Sequence, residues 1–199
     1  MKNNLRIIAK QKRKFISLDT EDKNTFLKNI NSCLDRVFSI ENTAKEVGLY
    51  YPILNEISPL VFIEYFKVNK ITTALPVVDS KSNSMIFKKW FGKQSLQKSH
   101  IGSYEPLQTN KTIFPQVIIV PMLMFDRKLN RLGYGAGYYD KAISNSKRYF
   151  NKKKKNFITI GLAYSEQETK SIPHESHDQK LDFIVTEKEI LSKVNLKLT

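Results

Sequence analysis

Residues 117–120 read Val-Ile-Ile-Val, four apolar β-branched residues in succession between Gln116 and Pro121. A strand with one wet face would alternate apolar and polar residues. An unbroken run of this kind is buried on both faces, as the central strands of a parallel sheet are. Both faces then need helical cover, and the rest of the chain supplies it. Over residues 20–38, Phe26, Leu27, Ile30, Cys33, Leu34, Val37 and Phe38 fall on one helical face. Asp19 or Thr20 caps that helix, with Glu21 and Asp22 in its first turn. Pro59 suits the start of another helix behind Ser58, with Phe62, Tyr65 and Phe66 at helical spacing. Residues 2–16 give a third, with Leu5, Ile8, Ala9 and Ile16 on one face and Lys2, Arg6, Lys10 and Arg13 on the opposite one. Strands are expected at 47–54, 71–78, 85–87, 157–163 and 183–185, and a loop over 92–115. Helices are expected over 138–148 and, at the end of the chain, 187–194. The alternation predicts an α/β fold over 1–199 as a single domain: a mostly parallel central sheet with helices on both faces, a three-layer α/β/α arrangement.

The formal net charge is +14, from 33 Lys and Arg against 19 Asp and Glu. Residues 2–14 hold six of the bases and residues 147–155 six more, with no acid in either stretch; the remainder carries 21 bases and 19 acids. The excess is two local clusters on a near-neutral body. Such clusters attract phosphates or nucleic acid. No zinc finger, RNP-type motif or arginine-rich arm accompanies them, which argues against nucleic acid and leaves Lys152–Lys155 as an exposed loop. No apolar stretch approaches the roughly 18 residues of a membrane span. Cys33 is the only cysteine and lies on the apolar face of its helix, so it reads as packing rather than catalysis. With no apolar signal core near the start, a reducing cytoplasm is the expected location, and a monomer the expected state.

The chemistry concentrates in residues 115–141, PQVIIVPMLMFDRKLNRLGYGAGYYDK. The buried strand runs into a loop with Gly133, Gly135 and Gly137 in alternation, followed by Tyr138, Tyr139 and Asp140. Alternating glycines let backbone amides approach an anion, and a helix beginning just after adds positive potential. Arg131 supplies charge-assisted donors for phosphate. A Rossmann fingerprint does not fit, because Tyr138 occupies the third glycine position, and no GK[ST] supplies a P-loop. A further cluster, Pro173 to Asp178, contains His174 and His177, but H-E-x-H is not a zinc-site spacing.

The string VPMLMFD followed by RLGYGAGYYDK resembles the signature of the 5-formyltetrahydrofolate cyclo-ligase family, also called 5,10-methenyltetrahydrofolate synthetase. Other features agree in order: Lys2, Leu5 and Arg6 as K-x-x-L-R, Glu56 in YYPILNEIS, Leu75-Pro76, Glu105-Pro106, and Pro173, Glu175 and Asp178 as P-x-E-x-x-D. The resemblance covers essentially the whole chain. It departs at Leu129, where a turn glycine is usual, at Ala136 in place of a frequent glycine, at Tyr134 where Arg is common, and at Lys141 in place of Arg. Leu129 would resist a left-handed turn, and Ala136 puts close backbone approach in question.

The resemblance implies conversion of 5-formyltetrahydrofolate, with or without a polyglutamate tail, to 5,10-methenyltetrahydrofolate, using ATP and Mg²⁺ through an iminium phosphate. It implies ATP contacts from Lys2, Asn3, Asn4, Leu5 and Arg6, and from Arg131, Leu132, Gly133, Tyr134, Gly135, Ala136, Gly137, Tyr138 and Tyr139. It places the folate on Tyr51, Glu56 and residues 134–138, and Mg²⁺ on Asp140 and Asp178. Arg131, Tyr139 and Asp140 are the catalytic candidates it implies. Two rival readings are a basic nucleic-acid-binding protein and a sugar-phosphate or CoA-ester enzyme of related fold.

Overall fold

The computed structural model describes residues 2–40, 44–79 and 84–193. Its helices are α1 (Lys2–Arg13), α2 (Thr20–Ile40), α3 (Ile63–Val68) and α4 (Tyr138–Lys152). Its strands are β1 (Glu46–Gly48), β2 (Thr72–Asp79), β3 (Ser84–Lys89), β4 (Leu96–Lys98), β5 (Tyr104–Pro106), β6 (Thr112–Ile113), β7 (Val117–Val120), β8 (Met124–Phe125), β9 (Arg131–Leu132), β10 (Ile158–Leu162), β11 (Phe183–Val185) and β12 (Ile190–Ser192). An eight-stranded sheet has the order β12-β11-β10-β7-β1-β2-β3-β6. The five strands from β11 to β2 are parallel; β12 pairs antiparallel with β11 at one edge, and β3 with β2 and β6 with β3 at the other. Two hairpins, β4-β5 and β8-β9, stand apart from it.

All four β7 residues are buried, and they alternate between the two faces. Val117 and Ile119 join Phe26, Ile30, Leu34 and Val37 of α2 and Phe66 of α3 in one core. Ile118 and Val120 join Ile143 of α4 in the other, with Phe125, Leu129 and Leu181. The handedness of parallel crossovers explains the split. From β1 the chain moves one way to β2 through α3, and from β7 it moves the other way to β10 through α4. The three-layer expectation holds.

Several local expectations change. β1 ends at Gly48 rather than continuing to residue 54: Pro52 follows, and Leu54 takes a left-handed φ of 53°. Within 92–115 the chain forms β4, β5 and β6. The turn after Pro59 begins as a 3₁₀ helix, Pro59–Phe62, in which Ser58 Oγ accepts from the Leu60 N–H as a cap should. Asp19 caps α2, its Oδ1 accepting from the Asp22 N–H at 2.8 Å. α1 stops at Arg13 and α4 runs on to Lys152. The terminal helix expected over 187–194 is instead β12, whose register is Ile190↔Val185 and Ser192↔Phe183. The open edge of β11 takes a hairpin partner, and the turn is tied by Thr186 Oγ1 accepting from the Lys188 and Glu189 N–H groups. Edge pairing overrides local helix preference there. Residue 194 lies outside the described residues.

α1 also turns differently from expectation. Ile7 and Ile8 are exposed, whereas Arg13 is only 2% exposed. Leu5 and Ala9 pack on Leu123, Met124, Leu132 and Ile172. Arg13 follows Ala9 by four residues, about 40° around the helix, so the basic and apolar positions adjoin rather than oppose. The face of α1 that meets the protein therefore carries Arg13 inward.

Candidate active site

Ligand sites in open parallel sheets lie beyond the carboxyl ends of the strands, where neighbouring connections leave in opposite directions. In this sheet that point falls between β1 and β7. A cavity of about 710 Å³ opens beside it. Tyr50, Tyr51 and Glu56 reach it from the segment after β1, Pro76 and Val78 from β2, and Pro121 from the end of β7. Arg131 to Asp140 line it as a continuous stretch. Lys2, Asn3 and Arg6 enter from α1, and Glu175, His177 and Asp178 from a late loop. Of the residues to which the resemblance gives a binding, metal or catalytic role, all but Asn4 and Leu5 are at the cavity: Asn4 is exposed, and Leu5 packs into the small cluster under α1.

The glycine loop is shaped by its backbone. Gly135 has φ +112° and Gly137 φ +72°, both in the region that side chains resist. A Cβ on Gly135 would stand 3.1 Å from Arg6 Cζ. Arg6 Nε donates to the Gly133 carbonyl at 3.0 Å, so α1 and the loop meet through that guanidinium. Gly137 is the N-cap of α4 and supplies no side-chain cap, which leaves the first-turn N–H groups of a 15-residue helix without a capping side chain. Ala136 is exposed and has no positive φ, so its methyl group is accommodated. Leu129 does adopt the left-handed turn, at φ 64°, with its side chain buried in the core beneath α4.

Arg131 Nη2 donates to Asp140 Oδ1 at 2.8 Å, and Asp140 Oδ1 also accepts from the Gln179 N–H at 2.9 Å. Asp140 stands in the first turn of α4 and is not its cap. Arg131 Nε is buried without a hydrogen-bond partner, a donor left for a ligand or water. Across the cavity, Lys2 Nζ bridges Glu175 at 2.8 Å and Asp178 at 2.7 Å. Burial opposes the charge on Lys2 and on Asp178. On Lys2 the hydrogen bonds and charges of Asp178 and Glu175 together outweigh it and raise the ammonium; on Asp178 those of Lys2, with the Glu175 N–H and His177, lower the carboxyl.

The third group is buried. Glu56, its side chain 4% exposed, accepts from the Ile53 N–H at 2.9 Å through Oε2 and from the Tyr134 hydroxyl at 2.7 Å through Oε1. Arg13 Nη2 donates to that same hydroxyl at 2.5 Å. Burial pushes the Glu56 carboxyl up, and the Ile53 N–H, the Tyr134 hydroxyl and Arg13 pull it back in that order. Burial likewise pushes the Tyr134 and Tyr139 hydroxyls far above their usual range, so both are neutral donors. The cavity thus has a cationic, glycine-lined end and an apolar end with one carboxylate and tyrosine rings.

A fit to Mg²⁺ turns on Asp140 and Asp178. Among the described residues no three His, Cys, Asp or Glu side chains cluster as a metal cage. Mg²⁺ bound with a nucleotide needs only one or two carboxylates beside phosphate oxygens. The hydrogen bonds described engage one oxygen of each carboxylate, Asp140 Oδ1 and Asp178 Oδ2, and both residues line the cavity with the glycine loop. The donor set fits such an ion.

Comparison with known proteins assigns the family. The model of the 5-formyltetrahydrofolate cyclo-ligase family matches residues 1–187. The chain belongs to that family. It is a ligase. A 5-formyltetrahydrofolate cyclo-ligase of Mycoplasma genitalium is 29% identical over 188 residues, 92% of this chain and 96% of the relative. One from Haemophilus influenzae is 28% identical over 71% of this chain and 75% of its own. The solved 5,10-methenyltetrahydrofolate synthetase of Aquifex aeolicus superposes with a TM-score of 0.72 at 26% identity, covering 100% of this chain and 95% of that one. The synthetase of Mycoplasma pneumoniae gives 0.65 at 28% identity, over 92% and 97%.

Sequence reasoning missed Tyr50, which lines the cavity, and Arg13, which stands behind Tyr134 and Glu56. Tyr50 is buried, its hydroxyl donating to the Ile57 carbonyl at 2.5 Å. Arg13 carried a signal in its 40° offset from Ala9, but a cation next to an apolar stripe reads first as solvated.

Proposed function

We propose that this chain converts 5-formyltetrahydrofolate to 5,10-methenyltetrahydrofolate with ATP and Mg²⁺. The observation that carries the reading is the convergence of the phosphate-suited loop, the Asp140 and Asp178 carboxylates, and the Glu56–Tyr51 end on one cavity. In this reading the formyl oxygen attacks the γ-phosphorus and ADP leaves, giving an N5 iminium phosphate. N10 then attacks the formyl carbon, the carbon–oxygen bond breaks, and phosphate and the N10 proton depart. A formyl amide oxygen is a poor leaving group until phosphorylated, and the transfer itself asks mainly for positioning and charge neutralisation.

Lys2, Arg6, Arg131 and the N–H groups of 133–139 hold the nucleotide phosphates, with the N-terminus of α4 adding positive potential. Asp140 and Asp178 hold Mg²⁺, which neutralises phosphate charge when bound. Arg131 fixes the orientation of Asp140, and Tyr139, beneath the Arg131 guanidinium at 5.9 Å, keeps it dry. Glu56 accepts from the adjacent N–H donors of the pterin's amino-pyrimidine edge, and Tyr51, tilted against Tyr104 at 5.1 Å, provides an aromatic wall. The lone buried thiol of Cys33 suits a reducing cytoplasm. Among the described residues no helix is long and apolar enough to cross a membrane.

The test follows the near-ultraviolet absorbance of methenyltetrahydrofolate with purified protein, 5-formyltetrahydrofolate and Mg²⁺, with and without ATP. Growth only with ATP is expected; growth without ATP, or none from folded protein, rejects the reading.

A further inference from the structure

We infer that Arg13 is a positioning residue of the folate end of the cavity: its buried guanidinium fixes the direction of the Tyr134 hydroxyl and holds Glu56 as an ionised acceptor. The inference rests on the folate reading for the identity of the ligand, and on geometry for the rest. Arg13 lies outside the stretches that the family motif marks.

A guanidinium carries donors only. The Tyr134 oxygen must therefore accept from Arg13 Nη2, at 2.5 Å, and its single proton is left to Glu56 Oε1, at 2.7 Å. The relay has one direction. Arg13 Nη1 donates to the Met122 carbonyl at 3.2 Å, which ties the guanidinium to the chain leaving β7. From Glu56 Oε1 it stands 3.7 Å away, so the hydroxyl mediates what a direct ion pair would otherwise do. With Tyr134 on Oε1 and the Ile53 N–H on Oε2, the carboxylate plane is fixed, and its remaining lone pairs have one orientation for a ligand.

Arg13 also favours the charged form of Glu56, beside the Ile53 N–H and the Tyr134 hydroxyl. The groups facing Glu56 are Arg13 from α1, Tyr134 from the glycine loop, Tyr50 after β1 and Tyr139 from α4. The three tyrosines are neutral, and Lys10 lies over the Tyr134 ring at 5.6 Å from its centroid. Arg13 is therefore the buried cation that opposes protonation of Glu56. Burial raises the carboxyl and Arg13 lowers it, so removing Arg13 raises it further. An acceptor role needs the carboxylate, which exists above its pKa and is lost as pH falls through it. The acid limb of activity must then move to higher pH.

The test compares R13M and R13K with wild type in the full chain. Folding is checked by thermal melting, KM is measured separately for 5-formyltetrahydrofolate and ATP, and kcat/KM is followed with pH. For R13M the folate KM rises about tenfold or more, as for loss of a charge-assisted contact, while the ATP KM stays within about twofold. Its acid limb moves to higher pH. R13K keeps a cation but not the fork, so its acid limb stays near wild type while its folate KM rises. A substrate-free infrared reading follows the protonated carboxyl band that E56Q removes; in R13M it titrates at higher pH than in wild type. Lower stability with unchanged folate KM, acid limb and infrared titration would make Arg13 merely structural and overturn the inference. If R13M does not fold, an unchanged folate KM in R13K overturns it. The infrared reading needs no turnover, so an inactive wild type would refute the folate reading without touching the Arg13–Glu56 link.

Discussion

Gly135→Ala tests the shape of the glycine loop and its proposed hold on ATP. Gly135 sits at φ +112°, and an added Cβ would stand 3.1 Å from Arg6 Cζ and 3.4 Å from its Nε and Nη1. Two costs follow. Holding a non-glycine residue in that region costs about 1–3 kcal/mol. At about 2–4 °C per kcal/mol for a chain of this size, the melting temperature falls by several degrees. The second cost is functional. The guanidinium of Arg6, held by the Gly133 carbonyl at 3.0 Å and Asn3 Oδ1 at 2.5 Å, must move away from the loop. Losing a charged hydrogen bond to a phosphate costs about 1.5–3 kcal/mol, so the ATP KM rises roughly 10- to 100-fold. Steady-state kinetics with each substrate varied in turn, beside thermal melting, reads both costs. The control is Ala136→Gly, next in the chain, where the methyl group is exposed and φ is not positive. That change keeps the residue 136 N–H and meets no neighbour, so it raises ATP KM far less than Gly135→Ala, and stability falls by no more than about 1 kcal/mol. Wild-type ATP KM in Gly135→Ala would refute the reasoning, as would equal effects at the two positions.

Three further outcomes follow from the same structure. Leu129→Gly relieves a left-handed backbone costing about 1–2 kcal/mol but removes a buried side chain worth about 2–5 kcal/mol. Chemical denaturation should therefore show net destabilisation, and a more stable variant would contradict the packing argument. The Cys33 thiol, pushed by burial to about 12, stays protonated in the folded chain; alkylation at pH 8 should await unfolding, and rapid labelling of native protein would count against it. Asp140→Asn keeps an oxygen to accept from Arg131 and the Gln179 N–H but loses the charge, so turnover should fall at least tenfold at limiting Mg²⁺ and recover partly at high Mg²⁺. An unchanged Mg²⁺ dependence would remove Asp140 from the metal.

The parts of this fold that the sequence displays are those decided locally. Val117–Val120 and Phe183–Val185 are strands with the bounds their apolar runs suggest, because residues buried on both faces leave no polar ambiguity. The α2 face and the Asp19 and Ser58 caps are equally local. What failed depends on partners distant in sequence. A helix is expected over 187–194, yet the open edge of β11 draws Ile190–Ser192 into β12. The strand expected over 47–54 leaves the sheet after Gly48, and its continuation builds the site with Tyr50, Tyr51 and Glu56. Leu129 shows a local rule outweighed: its left-handed strain is offset by burial in a core that no short window reveals. Arg13 was hidden for the same reason, because a buried cation is legible only once Tyr134 and Glu56 stand beside it.

The central claim is that one cavity activates the formyl oxygen by phosphorylation. Its most direct test is a turnover with 5-formyltetrahydrofolate carrying ¹⁸O in the formyl group, ATP and Mg²⁺, followed by mass analysis of the released phosphate. The account predicts one labelled oxygen in the phosphate for each methenyltetrahydrofolate formed. Label released to water, with unlabelled phosphate, would contradict it.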